Sequence, residues 1–112
     1  MHEMSIAEGI LGIVKDYAEQ NDASKVASVG LLIGEMAGVE IDSLEFCWKS
    51  LVRGTLADGA ELVIERVPLV GTCDSCGKER HIEHYNFICP DCGGTMIVKS
   101  GRELRVNYID ME

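Results

Sequence analysis

Cys73-Asp74-Ser75-Cys76-Gly77 and Cys89-Pro90-Asp91-Cys92-Gly93 are the stretches on which the reading of this 112-residue chain turns. Both spell C-x-x-C-G, and twelve residues separate the two pairs. Each is a tight turn on which two thiolates converge, with its glycine free to take a positive φ. Together they offer four sulfur ligands, the donor set of a closed tetrahedral zinc site. A redox dithiol explains one such pair but not two matched ones.

Paired C-x-x-C-G turns also occur in rubredoxin-type iron carriers. Such a carrier would occupy most of its chain, whereas here a long segment precedes Cys73, so zinc is the expected metal. Residues 69–96 are too few to bury a core of their own, and the metal is expected to supply most of their folding free energy. The fifth cysteine, Cys47, stands among Leu44, Trp48 and Leu51 and reads as a small core hydrophobe.

The flanks carry ordinary α+β signals. Ser5-Ile6-Ala7-Glu8 is an S-x-x-E capping pattern before Ile6, Ile10, Ile13, Val14 and Tyr17, which recur at three- and four-residue steps as a helix requires. Lys25 to Gly34 reads as a buried strand. Asp42-Ser43-Leu44-Glu45 repeats the capping pattern near the start of a second helix running to about Arg53, with Ile41, Leu44, Trp48, Leu51 and Val52 as its apolar face. Glu61 to Val67 and Glu103 to Ile109 alternate as strands. The last strand has no partner inside a zinc ribbon, so it is expected to return to the first sheet. The predicted fold is therefore α+β: a small mixed three-stranded sheet with two helices, plus an inserted zinc-ribbon-like module. Residues 1–68 and 97–112 would form the α+β domain and residues 69–96 the zinc-binding domain.

Charge removes several functions. Nineteen acids against ten bases leave a net charge of −9. Between Cys73 and Cys92, Asp74, Glu79, Glu83 and Asp91 face only Lys78 and Arg80, and four thiolates around one Zn²⁺ add two more negative charges. Such a module repels a phosphate backbone, so nucleic acid is not an expected partner. No apolar run approaches the roughly 20 residues needed to span a bilayer, and the start lacks the basic and apolar regions of a secretory signal. A cytoplasmic, reducing location is expected, where paired cysteines bind metal rather than form disulfides. Four cysteines fill the coordination sphere that a catalytic zinc leaves open, and no nucleophile–base pair is visible, so an enzyme is not expected. A zinc-ribbon module that docks another protein is the competing non-enzymatic reading.

The amino terminus offers a second site. The Met1 amine, the His2 peptide nitrogen and the His2 imidazole can close fused chelate rings around one cation, with Glu3 able to add its backbone nitrogen or carboxylate. Planar nitrogen donors suit Ni(II) or Cu(II), and an exposed, incomplete site permits transfer. The positive end of the following helix would mildly oppose the cation. His81 and His84, three residues apart between the cysteine pairs, are candidates for an auxiliary role at the zinc site.

Met1-His2-Glu3-Met4-Ser5 resembles the M-H-E-L/M-S opening of the HypA/HybF family of hydrogenase maturation nickel chaperones. Gly59-Ala60-Glu61-Leu62-Val63-Ile64-Glu65-Arg66-Val67-Pro68 resembles its G-A-x-L-x-I-E-x-V-P strand, the two cysteine turns follow in place, and Ser100-Gly101-Arg102-Glu103-Leu104 resembles its closing strand. The resemblance runs from end to end. It implies a nickel metallochaperone that binds Ni²⁺ through His2, with Glu3 assisting and the Met1 amine as a further donor. It also implies Zn²⁺ on Cys73, Cys76, Cys89 and Cys92. The implied partners are a HypB-type GTPase and the large subunit of NiFe-hydrogenase, with urease served by some members. In the family the zinc module responds to nickel or pH, which raises the standing of His81 and His84. A small sheet with exposed edges can also pair with, or swap a strand into, a second copy, which leaves a homodimer open.

Overall fold

The computed structural model describes residues 2–112. The first helix, α1 (Glu3–Gln20), buries Glu3, Ala7, Ile10, Leu11, Val14 and Ala18, again at three- and four-residue steps. The stripe is rotated from the expected one: Ile13 and Tyr17 are about half exposed. The capping pattern at Ser5 is also not used. The helix starts at Glu3, with His2 at the N-cap position and no side-chain capping bond. Placing Glu3 on the buried face brings the small Ala7 and Ala18 inward, and the bulkier Ile13 and Tyr17 turn out. At the other end Asn21 Nδ2 donates to the Tyr17 carbonyl at 2.7 Å.

The strand β1 (Val26–Gly34) is followed by α2 (Ile41–Leu51), whose N-cap is Glu40 rather than Asp42. The Glu40 carboxylate accepts the Asp42 N–H at 3.0 Å and so caps the helix through its own side chain. Leu44, Trp48 and Val52 are buried, and the Trp48 indole N–H donates to the Ala60 carbonyl at 3.0 Å. Ile41 and Leu51 are only half-buried, as is Cys47, which therefore lies at the rim of the core rather than within it.

Strands β2 (Glu61–Val67) and β6 (Leu104–Met111) flank β1 in the order β2-β1-β6. Lys25 exchanges bonds with Glu112 while the Gly34 N–H donates to Glu103, so β6 runs opposite to β1. The Val26 N–H donates to Leu56, before β2, and the Glu35 N–H to Val67, at its end, so β2 runs parallel to β1 with α2 as the crossover. The sheet is mixed, and the last strand does return to it.

A second three-stranded sheet has the order β4-β3-β5, from β3 (Val70–Cys73), β4 (Glu79–His81) and β5 (Met96–Ser100), all antiparallel. β5 carries this sheet past residue 96 to Ser100. Two compact units divide the chain: Met1–Leu32 with Gly38–Glu65 and Arg105–Glu112, and Ile33–Ala37 with Arg66–Leu104. Leu69, Cys73, Ile82, Cys89 and Met96 form the core of the second unit, with Met36, Phe87 and Val98 packed on it. No helix among the described residues is long and apolar enough to cross a membrane.

Candidate metal centre

Cys73 ends β3 and Cys76 follows it through a turn closed by the Gly77 N–H on the Cys73 carbonyl (3.0 Å) and the Cys73 N–H on the Lys78 carbonyl (2.9 Å). The second turn repeats this: the Gly93 N–H donates to Cys89 at 2.9 Å and the Cys89 N–H to Gly94 at 2.8 Å. Gly77 and Gly93 have φ of +75° and +79°, the conformation that the glycine of each motif was expected to supply.

The sulfur atoms of Cys73, Cys76, Cys89 and Cys92 all lie within 4.8 Å of one another. Cys73 to Cys92 is 3.4 Å and Cys76 to Cys89 is 3.8 Å. A Zn–S bond of about 2.3 Å in a tetrahedron places sulfurs about 3.8 Å apart, while a disulfide needs about 2.05 Å. The cage fits a metal of that size bound to sulfur. Among the described residues no other group of His, Cys, Asp and Glu side chains clusters in this way, and neither His2, Glu3, His81 nor His84 joins it.

The surroundings prepare the sulfurs for a cation. The Cys76 and Ser75 N–H groups, both 3.4 Å from Cys73 Sγ, hold its thiol down to about 6. Cys92 moves the other way: the Gly94 N–H favours its thiolate, but the Cys73 sulfur, desolvation, and the sulfurs of Cys76 and Cys89 together outweigh it and push the thiol up to about 12. Four sulfurs this close cannot all ionise without a cation between them, so metal uptake releases protons.

The remaining expected residues are not among the ligands of the cage. His2 is exposed at the head of α1, whereas Glu3 is buried and its Oε2 accepts the Glu40 N–H at 3.1 Å. That bond holds the Glu3 carboxyl below the usual range. The Met1 amine lies outside the described residues. His81 Nε2 is 2.8 Å from Glu35 Oε1 and its Nδ1 is 2.9 Å from Glu83 Oε1, and the two carboxylates, Glu35 first, raise its pKa. His84 sits in the short 3-10 turn Glu83–Tyr85 with φ of +50°.

Glu35 and Glu40 carry no signal of these contacts in the sequence. Glu35 Oε1 also accepts the Leu69 N–H at 2.9 Å, and its partners stand 34 and 46 residues away. No local pattern signals a partner at that separation.

A family described as "Hydrogenase/urease nickel incorporation, metallochaperone, hypA" matches residues 1–111. The chain belongs to the HypA family. Two curated HypA relatives, both named hydrogenase maturation factor HypA, cover nearly the whole chain. The one from Chlorobaculum parvum is 43% identical over 113 residues and covers 100% of both chains. The one from Azoarcus sp. is 47% identical over 110 residues, covering 97% of this chain and 96% of the other. The HypA fold is shared with the solution structure of the Ni metallochaperone from Helicobacter pylori, with a TM-score of 0.70 at 22% identity, covering 99% of this chain and 97% of that one. A second HypA solution structure aligns with a TM-score of 0.74, also at 22% identity, over 100% and 97% of the chains. The family is one of nickel metallochaperones for hydrogenase maturation, and this member carries the four-cysteine cluster.

Proposed function

We propose that this chain binds Ni(II) at its amino terminus and delivers it to the large subunit of NiFe-hydrogenase, while Zn²⁺ sits permanently on Cys73, Cys76, Cys89 and Cys92. The first unit holds the nickel and the second the zinc. The observation that carries this reading is the state of His2 in a chain of the nickel-incorporation family: it is exposed at the first turn of α1, and its side chain makes no capping bond. The imidazole is thus free of the structural duty that its position invites. With the Met1 amine and local peptide nitrogens it would close fused chelate rings around a planar Ni(II) ion. Glu3 assists as the neighbouring carboxylate. The zinc cage, filled by sulfur, has a structural task and leaves no open position for turnover.

A HypB-type GTPase would exchange nickel with this terminus and the hydrogenase large subunit would receive it, in the cytoplasm; urease is the alternative client. The net charge of −9 suits a carrier of cations that docks on proteins.

The test is a calorimetric Ni(II) titration of the zinc-loaded chain, its His2→Ala variant and a version extended before Met1. The extension blocks the free amine without altering a side chain. Loss of tight nickel binding in both altered chains is expected; equal affinity and stoichiometry in all three would remove the terminal site. Retention of function in hydrogenase maturation by His2→Ala would favour the zinc-ribbon docking module instead.

A further inference from the structure

Each cysteine turn carries one aspartate between its ligands, at different inner positions: Asp74 follows Cys73, and Asp91 precedes Cys92. Each reaches to the chain just beyond the other turn. Asp74 Oδ1 accepts the Thr95 N–H at 3.1 Å, and the Asp74 N–H donates to the Thr95 carbonyl at 2.9 Å. Asp91 Oδ2 accepts from Lys78 Nζ at 3.1 Å and from the Arg80 guanidinium. Lys78 lies shortly after Cys76, as Thr95 does after Cys92. The turns also meet closely: a Cβ on Gly94 would fall 2.7 Å from Ser75 Oγ and 2.9 Å from Cys73 Sγ.

We propose that Asp74 and Asp91 are positioning residues for the zinc, a reciprocal clamp that keeps the two sulfur pairs at coordinating distance and lengthens the residence of the metal. The proposal rests on the zinc reading of the four cysteines. One turn alone supplies two sulfurs, so zinc departs when the turns part, and every bond from one turn to the far side of the other opposes that parting. The two halves of the clamp differ in kind. Asp91 pairs with the exposed Lys78 and the half-buried Arg80, and its carboxylate is itself open to solvent, so salt screens the interaction. Asp74 accepts a backbone N–H beside a second backbone bond to the same residue, which salt leaves nearly untouched.

That difference defines the test. Zinc transfer from the loaded full-length chain to a chromogenic chelator is followed at about 0.01 M and about 1 M salt. Asp91→Asn should release zinc about two- to fivefold faster than the parent at low salt, the range of exposed ion pairs, and near the parental rate at high salt. Asp74→Ala should release it faster at both, and Asp74→Asn, which keeps an acceptor oxygen, should restore the slower rate. Zinc bound at one per chain with Asp91→Asn releasing it at the parental rate in low salt would overturn the clamp and leave the zinc reading intact. A parent chain that binds no zinc would overturn the zinc reading itself.

Discussion

The Glu3 carboxylate and the Glu40 backbone N–H meet at 3.1 Å, joining the first turn of α1 to the cap of α2. Glu40 is engaged twice, because its own carboxylate caps the helix that follows. The residue expected to assist nickel is thus also a strut holding the scaffold on which His2 sits.

The two duties of Glu3 separate on substitution. Glu3→Gln keeps an oxygen for the Glu40 N–H, so its melting temperature should stay close to that of the parent. Glu3→Ala leaves that donor without its protein partner and should melt lower. If the carboxylate also assists nickel, Glu3→Gln will bind Ni(II) more weakly at unchanged melting temperature. Calorimetry and thermal denaturation on the same samples read the two effects apart.

Zinc removal should act on one part of the chain. The second unit buries two of its four cysteines in a small core, and an apolar core of that size does not hold a fold without its metal. Trp48, the single tryptophan, is buried in the first unit and bonded to Ala60. Chelation should abolish amide protection at Cys73, Cys89 and Met96 while Trp48 emission stays at its buried wavelength. Hydrogen exchange and fluorescence before and after chelation check this, and a red-shifted Trp48 would show that both units depend on the metal.

His81 makes the stability of the second unit depend on pH. Its pKa is raised above the ordinary 6.5, chiefly by Glu35 and also by Glu83. Its contribution is therefore complete below 6.5 and is lost as pH rises through the higher folded value. Glu35 is held below its ordinary 4.5, by the Leu69 N–H first and then by His81, so its share is present above 4.5 and lost as pH falls through the lower folded value. The melting temperature of the parent should exceed that of His81→Gln most between about pH 4.5 and 6.5. The gap should close on the alkaline side. A gap independent of pH would mean that His81 is held by packing alone.

Much of this was readable from the linear order of residues. The metal cage was, because each C-x-x-C-G turn is closed by bonds among its own neighbours and the glycine supplies the φ that the turn requires. Strand β2 was, because alternation over seven residues has one periodicity. The rotation of α1 was not. Ile6, Ile10, Ile13, Val14 and Tyr17 make as good a stripe as the one used, and the choice fell to packing that puts Glu3 opposite Glu40. Gly34 carried no signal either, yet a Cβ there would stand 2.1 Å from the Gly101 carbonyl oxygen, a backbone contact between residues far apart in the chain.

The division follows the range of the forces involved. Family, cysteine cage, helices and strands rest on local geometry and periodicity, which a linear chain displays. The struts between distant residues, Glu3 to Glu40, Glu35 to His81 and Leu69, and Asp91 to Lys78 and Arg80, exist only once folding has brought their partners within hydrogen-bonding distance. Those contacts tie the head of α1 to the cap of α2, and the second cysteine turn to the chain that follows the first.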